Sequence, residues 1–380
     1  MQYSSSSFKL GILGGGQLGK MMTVHTRKMD IHTLILDPSE SAPARLSCNT
    51  FFQGDLLDYD TVYEFGKKVN VLTIEIENVN VAALEQLERE GIKVYPKPKS
   101  LNVIRNKVRQ KTFYKQHQLP TAPFQKFTDK DDLVKNTPPL PFVWKSAEFG
   151  YDGKGVQVVK SEHDIAQIPN GPCLAEQLID FEKEIAVIVA RSSQGEVKTY
   201  PLVAMDFHPT ANLVEYVVSP APLDKSIHQK AEQLALEVAE KMDIVGLLAV
   251  EMFLTKSGDI LINEVAPRPH NSGHQTIESN YTDQFEQHIR AVLDLPLGSS
   301  ASKCCGIMIN LIGEAKHNGP VIYQGLKEAL AIEGVYAHVY GKAETRPFRK
   351  MGHMTIVDAN LEKAYQKAKQ IKSMIKVISV

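Results

Sequence analysis

Two glutamates near residue 260 are placed where they could bind a metal ion together. Two apolar runs flank the dipeptide Ser257-Gly258, a pattern typical of two strands joined by a tight turn. Counting back along both strands from this loop places Glu251 directly opposite Glu264. Directly opposed side chains have Cβ atoms about 4.5–5.5 Å apart, and like charges so placed destabilise a sheet. The pair therefore favours a bound cation, and Mg²⁺ combines one or two protein carboxylates with substrate phosphates.

The register of this hairpin decides the interpretation. A slip of one residue in the turn would move Glu264 to the other face of the sheet, and two solvated glutamates on a hairpin are a common alternative. The loop after Glu264 favours a site, because polar groups are concentrated there among two prolines and a glycine: Arg268, His270, Asn271, Ser272 and His274.

A glycine-rich turn follows the first apolar strand of the chain. Phe8–Leu13 runs into Gly14, Gly16 and Gly19, which match the phosphate-loop pattern of dinucleotide-binding units, and Asp37 lies close to where such a unit carries its ribose-binding acid. The pattern alone indicates NAD binding, but the glycines serve a tight strand-to-helix turn equally well.

Alternating strands and helices predict an open parallel sheet up to Tyr95-Pro96. Glu75 lies near the end of a later apolar strand of this sheet, Val71–Ile76, and Glu77 follows it. The carboxyl ends of parallel strands are where open α/β sheets bind ligands, although two solvated acids at a strand end remain the alternative.

The middle of the chain has features of a phosphate site. Leu101–Gln118 predicts one basic helix, for which a solvated face is the simplest interpretation. Phe142–Lys145 predicts a strand with an inward-facing lysine, and Gly150, Gly153 and Gly155 follow it. Three glycines in six residues between strands predict a flexible hairpin lid whose backbone N–H groups could cover phosphates.

The last 80 residues predict a smaller unit with strands at Gly306–Ile312, Tyr336–Tyr340 and His353–Val357 and a final helix from about Asn360. Four cations lie in one loop between these strands: Lys342, Arg346, Arg349 and Lys350. In a chain of net charge −1 this concentration indicates an anion, most simply a phosphate.

Composition excludes several classes of partner. A net charge of −1 argues against nucleic acid or an anionic membrane as a bulk partner, since both need a basic surface. The four cysteines lack metal-type spacing and indicate a reducing compartment. Neither a secretory signal nor a membrane-spanning run is present in the sequence, which predicts a cytoplasmic protein.

Taken together, these motifs resemble those of the ATP-grasp family. The shared features are a lysine on a strand, a glycine lid, a carboxylate on a linking strand and two late carboxylates. More closely, the chain resembles the family of ATP-dependent 5-(carboxyamino)imidazole ribonucleotide synthases of purine biosynthesis. The resemblance covers nearly the whole chain and rests on GGGQLGKM, GYDGKG, AEQLIDFEKE, VEMFLTKSGDILINEVAPRPHNSGH and RPFRKMGH.

This resemblance implies a three-part α/β and α+β fold. Residues 1–98 would be a Rossmann-like preATP-grasp domain that binds no NAD, 99–300 the ATP-grasp domain, and 301–380 a small β-rich domain with a rudimentary barrel or sandwich. The implied reaction is the ligation of bicarbonate to 5-aminoimidazole ribonucleotide. ATP would phosphorylate bicarbonate to carboxyphosphate, and the amine would take the carboxyl group directly or as trapped CO₂.

The resemblance also implies roles for individual residues. Glu251 and Glu264 would bind Mg²⁺ or Mn²⁺. ATP would contact two lysines, the lid, the adenine strand, a ribose carboxylate and three further residues: Lys107, Lys145, Gly150, Tyr151, Asp152, Gly153, Lys154, Gly155, Glu176, Gln177, Leu178, Ile179, Glu184, His208, Asn263 and Glu264.

For the nucleotide substrate the implied contacts are Gln17, Glu75, His270, Asn271, Ser272, Lys342, Arg349 and Lys350. Arg268, Asp152 and His270 would be catalytic, with Arg268 on bicarbonate or carboxyphosphate and Lys342 and Arg349 on the nucleotide phosphate. A homodimer is implied as well. The chain departs from the family pattern before and after the lid, at Ser146–Phe149 and Val156, and at Gln275.

Three other functions compete with this interpretation. A formate-using glycinamide ribonucleotide transformylase shares the ATP-grasp plan, but HNSGH and RKMGH argue against it. A nucleotide-binding regulatory module would be expected to lack Glu251 or Glu264, and both are present. An NAD oxidoreductase rests on the glycine turn alone.

Overall fold

The computed structural model describes residues 7–148, 155–207 and 213–380. Within these ranges no helix is both long and apolar enough to cross a membrane.

The first unit is the open parallel sheet that the sequence predicts, and it has five strands in the order β3-β2-β1-β4-β5. Its strands β1 and β4 are almost wholly buried, as expected for a parallel sheet covered on both faces. The strand order reverses between β1 and β4, so the crevice at their carboxyl ends is the expected ligand position. The elements of this unit are β1 Lys9–Leu13, α1 Gln17–Lys28, β2 His32–Asp37, β3 Thr50–Gln53, α2 Tyr59–Gly66, β4 Val71–Ile74, α3 Val81–Arg89, β5 Lys93–Tyr95 and α4 Pro98–Ile104.

The predicted single helix Leu101–Gln118 is wrong, because the chain breaks into α4 and α5 between Ile104 and Lys107. Asn106 causes the break: its side chain accepts a hydrogen bond of 2.9 Å from the Arg109 N–H and so caps α5. Asparagine favours this N-terminal position over a helix interior, where its amide competes for backbone groups.

The central unit contains two antiparallel sheets. One has the order β6-β9-β7-β8, and the other includes β15-β14-β10-β12-β13, with β11 paired to β10. The elements are α5 Lys107–Gln116, β6 Phe124–Phe127, α6 Lys130–Lys135, β7 Phe142–Ser146, β8 Val156–Val159, α7 Glu162–Gln167, β9 Cys173–Gln177, β10 Phe181–Arg191, β11 Val197–Thr199, β12 Val203–Phe207, β13 Val214–Ser219, α8 Lys225–Lys241, β14 Gly246–Thr255, β15 Ile260–Ala266, a 3-10 turn Asn271–Gly273, α9 Thr276–Ser279 and α10 Gln284–Val292.

The C-terminal unit contains the predicted strands and helix and continues the large central sheet. β13 pairs with β16, and β16, β20 and β18 then extend it to nine strands. A separate small sheet of β17, β19 and β21 was not indicated by the sequence pattern. The elements are β16 Cys305–Ile312, β17 Gly319–Gln324, α11 Leu326–Leu330, β18 Val335–Val339, β19 Glu344–Thr345, β20 Lys350–Asp358, α12 Leu361–Met374 and β21 Lys376–Ser379.

One apolar core runs under the whole nine-stranded sheet. Helix α8 contributes Leu234 and Val238, α12 contributes Ile371, and the strands contribute Leu248 and Ile356 among many others. Each fully buried aliphatic side chain stabilises the fold by about 1.5–3 kcal/mol. Since the core is shared, the central and C-terminal units are fixed to each other.

Candidate active site

The predicted pairing of Glu251 with Glu264 is confirmed. The predicted turn is wrong by one residue, since the Thr255 N–H donates to the Asp259 carbonyl at 2.9 Å and leaves a three-residue loop. A bulge at Asn263 compensates, because it shifts the register before Glu264. A bulge of this kind re-aims a side chain without ending the pairing.

A third carboxylate shares the sheet face with these two. Glu184 pairs with Phe253 in β14, and Glu251 pairs with Ala186 two positions along β10. Residues two apart on a strand share a face, so Glu184 and Glu251 are diagonal neighbours and Glu264 completes the group. We call these three residues the carboxylate face.

The electrostatics of the carboxylate face favour a cation. Burial, together with the Glu264 charge, raises the pKa of Glu184 to about 7. Burial and then the charges of Glu264 and Glu184 raise the pKa of Glu251 well above its usual range. Glu264 differs because Lys107 pairs with it and lowers its pKa, against the effect of burial. A divalent cation would relieve the repulsion that keeps Glu251 protonated.

Three lysines and a buried glutamate lie beside the carboxylate face. Lys145 bonds the Glu176 carboxylate and the Asn263 amide oxygen, each at 2.9 Å, which places the bulge residue in the site. Lys111 reaches the other Glu176 oxygen at 3.1 Å. Burial raises the pKa of Glu176, but the two lysines outweigh burial and the net shift is downward. Glu176 therefore holds the Lys145 ammonium beside the carboxylate face.

Lys111 is a buried residue of the candidate site that sequence reasoning missed. The basic helix was interpreted as a solvated face, yet the Lys111 side chain is 2% exposed and also donates to Thr121 Oγ1 at 2.6 Å. Burial lowers its pKa to about 8, although Glu176 opposes the shift. The sequence of α5 does not show that Lys111 is buried, because the buried residues of this helix are mostly polar and form no apolar stripe.

Replacing Lys111 by methionine is expected to raise the KM for ATP about tenfold, because Glu176 would then draw Lys145 away from the nucleotide phosphates. Initial rates at varied ATP would measure the effect. Lys115→Met is the matched control, since Lys115 is exposed on the same helix. A KM for K111M within twofold of the wild-type value would contradict this role.

The predicted adenine contacts lie on the connection between β9 and β10. Gln177 ends β9, and its N–H donates to the Pro123 carbonyl at 2.9 Å. Leu178 and Ile179 follow, and within the described parts of the chain their backbone N–H and C=O groups have no hydrogen-bond partner. A purine edge offers the complementary donors and acceptors.

Part of the predicted ATP site lies outside the described residues: Gly150, Tyr151, Asp152, Gly153, Lys154 and His208. Gly155 is described, and its carbonyl accepts a 2.8 Å bond from the Ser146 N–H.

The polar loop after β15 turns its first histidine toward the carboxylate face. His270 Nε2 lies 3.5 Å from Glu251 Oε1. The Ser272 N–H donates to His270 Nδ1 at 3.3 Å, so this nitrogen is the acceptor and the proton of the neutral ring is on Nε2, facing Glu251. The Ser272 hydroxyl lies 3.0 Å from the same Nδ1. Ser272 thus orients His270.

Asn271 contacts the C-terminal unit rather than the carboxylate face. Its amide and that of Asn310 exchange two hydrogen bonds of 2.9 and 3.0 Å. This pair fixes the loop to β16, which is a positioning role that the sequence did not indicate.

Arg268 lies between the loop and the first unit. Its Nε is 2.9 Å from Glu77 Oε1, and its Nη1 donates to the Pro269 carbonyl at 3.1 Å. The side chain is about one-fifth exposed. The guanidinium is therefore oriented from one side and has donors left for an anion.

The glycine-rich turn is filled by carboxylates of the protein itself. Glu75 accepts hydrogen bonds of 2.6 Å from the Gly16 and Gly19 N–H groups, and Asp37 accepts one of 2.7 Å from Gly15. A Cβ at Gly14 would lie 2.3 Å from Glu75 Cγ. The glycines make room for Glu75, and two carboxylates in this position repel a pyrophosphate. The NAD interpretation of the turn is therefore wrong.

Cationic side chains meet at the edge of the first unit. Lys342 Nζ donates to the Lys350 carbonyl at 2.7 Å, and Arg349 Nη1 donates to the Glu344 carbonyl at 2.7 Å. Lys20, which is on α1 one turn after Gln17, donates to the Val339 carbonyl at 3.1 Å. We call residues 342–350, which contain Lys342 and Arg349, the cationic loop. The structure thus brings α1 to the base of the cationic loop.

A second acidic group has metal-like spacing but is already paired. His25, Asp283 and Glu286 have three potential ligand atoms within 4.8 Å of one another. His25 Nε2 bonds Asp283 at 3.0 Å, while Arg290 and Lys28 bond Glu286 at 2.6 and 3.2 Å. The group is an ion network that joins α1 to α10.

Comparison with known proteins agrees with this architecture. Residues 8–105 match a ribonucleotide synthetase preATP-grasp domain, 112–285 an ATP-grasp domain, and 306–367 a phosphoribosylaminoimidazole carboxylase C-terminal domain. The N5-carboxyaminoimidazole ribonucleotide synthase of Bacillus subtilis is 37% identical, over 92% of this chain and 91% of that protein. The chain belongs to the N5-carboxyaminoimidazole ribonucleotide synthase family.

Solved structures of this synthase family have the same fold. The Thermotoga maritima synthetase is 40% identical with a TM-score of 0.91, over 98% of this chain and all of that one. The Aspergillus clavatus synthase in complex with ADP and 5-aminoimidazole ribonucleotide is 31% identical with a TM-score of 0.88, over 96% and 98% of the two chains. The chloroplastic phosphoribosylaminoimidazole carboxylase of Vigna aconitifolia is 39% identical over 93% of this chain, but the chain spans only 64% of its length.

Ser146 and Glu148, which precede the predicted lid, have structural partners, whereas Phe149 lies outside the described residues. The Ser146 hydroxyl donates to the Glu148 carbonyl at 2.8 Å, and the Glu148 carboxylate accepts from Asn106 at 3.0 Å. Glu148 thus links the chain before the predicted lid to the N-terminus of α5.

Proposed function

We propose that this protein catalyses the ATP-dependent carboxylation of 5-aminoimidazole ribonucleotide with bicarbonate. The products are 5-(carboxyamino)imidazole ribonucleotide, ADP and phosphate. The observation that carries the proposal is the convergence of the carboxylate face, the buried lysines and Arg268 at the junction of the three units. Membership of the synthase family supports it.

The reaction needs two transfers that share one site. A bicarbonate oxygen attacks the γ-phosphorus of ATP, the bond to the β-phosphate oxygen breaks, and ADP and carboxyphosphate form. The amine of the ribonucleotide then loses a proton as it attacks the carboxyl carbon of carboxyphosphate and displaces phosphate, or as it attacks CO₂ trapped in the site after phosphate has left. Both steps develop charge on oxygen, so fixed cations and hydrogen-bond donors lower their barriers.

Different described residues would bind different parts of the substrates. Lys107 and Lys145 would bind the phosphates, and the backbone of Leu178 and Ile179 would bind adenine. Arg268, oriented by Glu77, would hold bicarbonate and then carboxyphosphate with its remaining donors. His270, whose Nε2 faces Glu251 at 3.5 Å, would contact the nucleotide substrate beside the carboxylate face.

The carboxylate face fits a magnesium ion. Glu251 and Glu264 are directly opposed oxygen donors, and Asn263 adds an amide oxygen beside them. Mn²⁺ accepts the same donor set. When bound, the ion would neutralise the triphosphate and polarise the transferred phosphoryl group. Release of Lys107 from Glu264 would free that lysine for the nucleotide.

The proposed function is tested by ADP release from the purified protein. We expect release to require aminoimidazole ribonucleotide and bicarbonate together. The carboxylated product would be identified by ¹³C NMR with labelled bicarbonate. Dependence on formate and glycinamide ribonucleotide instead would overturn the proposal.

Binding of a magnesium nucleotide at pH 7 is expected to release about one proton. The folded pKa of Glu251 lies above pH 7, so its carboxyl is mostly protonated and must ionise to bind the ion. Calorimetric titration in two buffers of different ionisation enthalpy measures the release. Glu251→Gln should reduce the difference between buffers to the share that Glu184 contributes, and equal enthalpies in both buffers for the wild-type protein would contradict it.

Several expectations extend the proposal. The domain boundaries at 98/99 and 300/301, the cytoplasmic location and the homodimer stay predictions. For the nucleotide substrate we keep the predicted contacts of Gln17, Lys342, Arg349 and Lys350. Glu75 would act mainly by holding the glycine turn.

A further inference from the structure

A stack of three histidine rings, of which His274 and His353 are buried and His338 is 26% exposed, lies outside the proposed chemistry, which uses none of them. His274 and His353 have ring centroids 4.6 Å apart, and His353 and His338 lie 4.4 Å apart with an interplanar angle of 12°. We call these residues the histidine stack. His274 ends the polar loop that begins at Arg268, whereas His338 and His353 are paired residues of β18 and β20. The stack therefore joins the two segments that carry the predicted nucleotide contacts.

Hydrogen bonds fix the loop end of the stack. The His270 N–H donates to Gln284 Oε1 at 2.8 Å, and Gln284 Nε2 donates to the His270 carbonyl at 2.8 Å. These two bonds show which side of the Gln284 side-chain amide is the oxygen and which is the nitrogen. The same Nε2 lies 2.9 Å from His274 Nδ1, which must accept from it. His274 is thus neutral, with its proton on Nε2, and it shares Gln284 with the backbone of His270.

The other end of the stack is fixed in the C-terminal unit. His338 Nε2 donates to Glu278 Oε1 at 2.8 Å. The Tyr340 hydroxyl lies 3.1 Å from His353 Nδ1, and the Tyr340 N–H bonds the Met351 carbonyl at 3.0 Å. Tyr340 and Met351 are the last paired positions before the cationic loop. The central ring of the stack thus lies at the base of that loop.

The surroundings of the stack keep the two buried rings, His274 and His353, uncharged. Both His274 and His353 are 2% exposed or less. Burial lowers the pKa of each well below its usual value, and nearby His338 lowers both further. Neutral rings can pack closely beside Lys350 and His270 without repulsion: His338 and His353 are stacked, and His274 is tilted by 33° against His353.

We propose that the histidine stack positions the cationic loop against the polar loop 268–274 and thereby sets the affinity for the phosphate of the nucleotide substrate. This inference rests on the proposed function. The stacked rings fix the spacing between His270 on one side and Lys342 and Arg349 on the other. The residues of the stack are positioning residues, because none contacts the carboxylate face.

Replacing His353 by alanine tests the proposal. We expect the KM for aminoimidazole ribonucleotide to rise about tenfold, with the KM for ATP and kcat within about twofold of wild type, because a small displacement of binding groups is costly. His353→Phe keeps the stacked ring and should hold that KM within about threefold. His317→Ala is the matched control, since His317 accepts from the Ser379 N–H in the same unit, away from the stack.

Thermal unfolding of each variant separates positioning from stability. Loss of a partner for the Tyr340 hydroxyl should lower the Tm of H353A and H353F alike, so only the change in KM distinguishes them. An unchanged nucleotide KM in H353A, an equal rise in the ATP KM, or a rise in H353F as large as in H353A would each overturn the inference. Absence of turnover by the wild-type protein in the same assay would instead refute the proposed function.

Discussion

Replacing Glu264 by glutamine is expected to lower kcat by about 10³-fold or more. The substitution removes one charge of a directly opposed pair and leaves Lys107 without its carboxylate partner. Electrostatic groups at a transferring phosphoryl group commonly contribute effects of this size. ADP release under saturating substrates measures kcat, and the magnesium dependence should shift to higher concentration.

The matched control for this variant is Glu182→Gln. Glu182 is exposed on β10, two residues before Glu184. The control should keep wild-type kcat, because residue 182 carries no part of the proposed site. If E264Q retained a tenth or more of the wild-type kcat, the carboxylate face could not be the metal site.

Replacing Arg268 by lysine is expected to lower kcat by about 10²-fold while the KM for ATP changes little. The guanidinium forms an ion pair with Glu77 and still offers donors to an anion, whereas an ammonium is a point charge without the planar fork. ATP hydrolysis should also become uncoupled from carboxylation, because carboxyphosphate would be held less firmly. The ratio of ADP to carboxylated product measures this uncoupling.

Arg290→Lys is the comparison for R268K. Arg290 also bonds a glutamate, Glu286, but in the ion network between α1 and α10. It should affect the Tm more than kcat. Full coupling of ADP release to product in R268K would rule out the role assigned to Arg268.

The parts of the fold that follow from local patterns were predictable. Alternating apolar strands and helices predicted the parallel first sheet, and two apolar runs about a turn predicted the hairpin of Glu251 and Glu264. The predicted pairing of Glu251 with Glu264 is correct although the predicted turn is wrong by one residue, because the bulge at Asn263 restores the register. A bulge depends on tertiary contacts, here the bond from Lys145, which a single strand pattern does not contain.

The parts that depend on distant contacts were not predictable. Lys111 is buried because Glu176 and Thr121 reach it from other elements. The glycine turn matches a dinucleotide fingerprint, yet the acid that fills it, Glu75, lies 59 residues from Gly16. A motif shows that a backbone approaches something closely. The identity of that partner comes from the topology.

The pairing of β13 with β16 has a practical consequence. Deleting residues 301–380 would remove the strand that pairs with Tyr216–Ser219 of β13. It would also expose to solvent the core residues that α12 covers. Such a truncated chain would offer an unprotected strand edge for self-association. Engineers seeking a minimal catalyst should therefore shorten surface loops and leave this C-terminal portion whole.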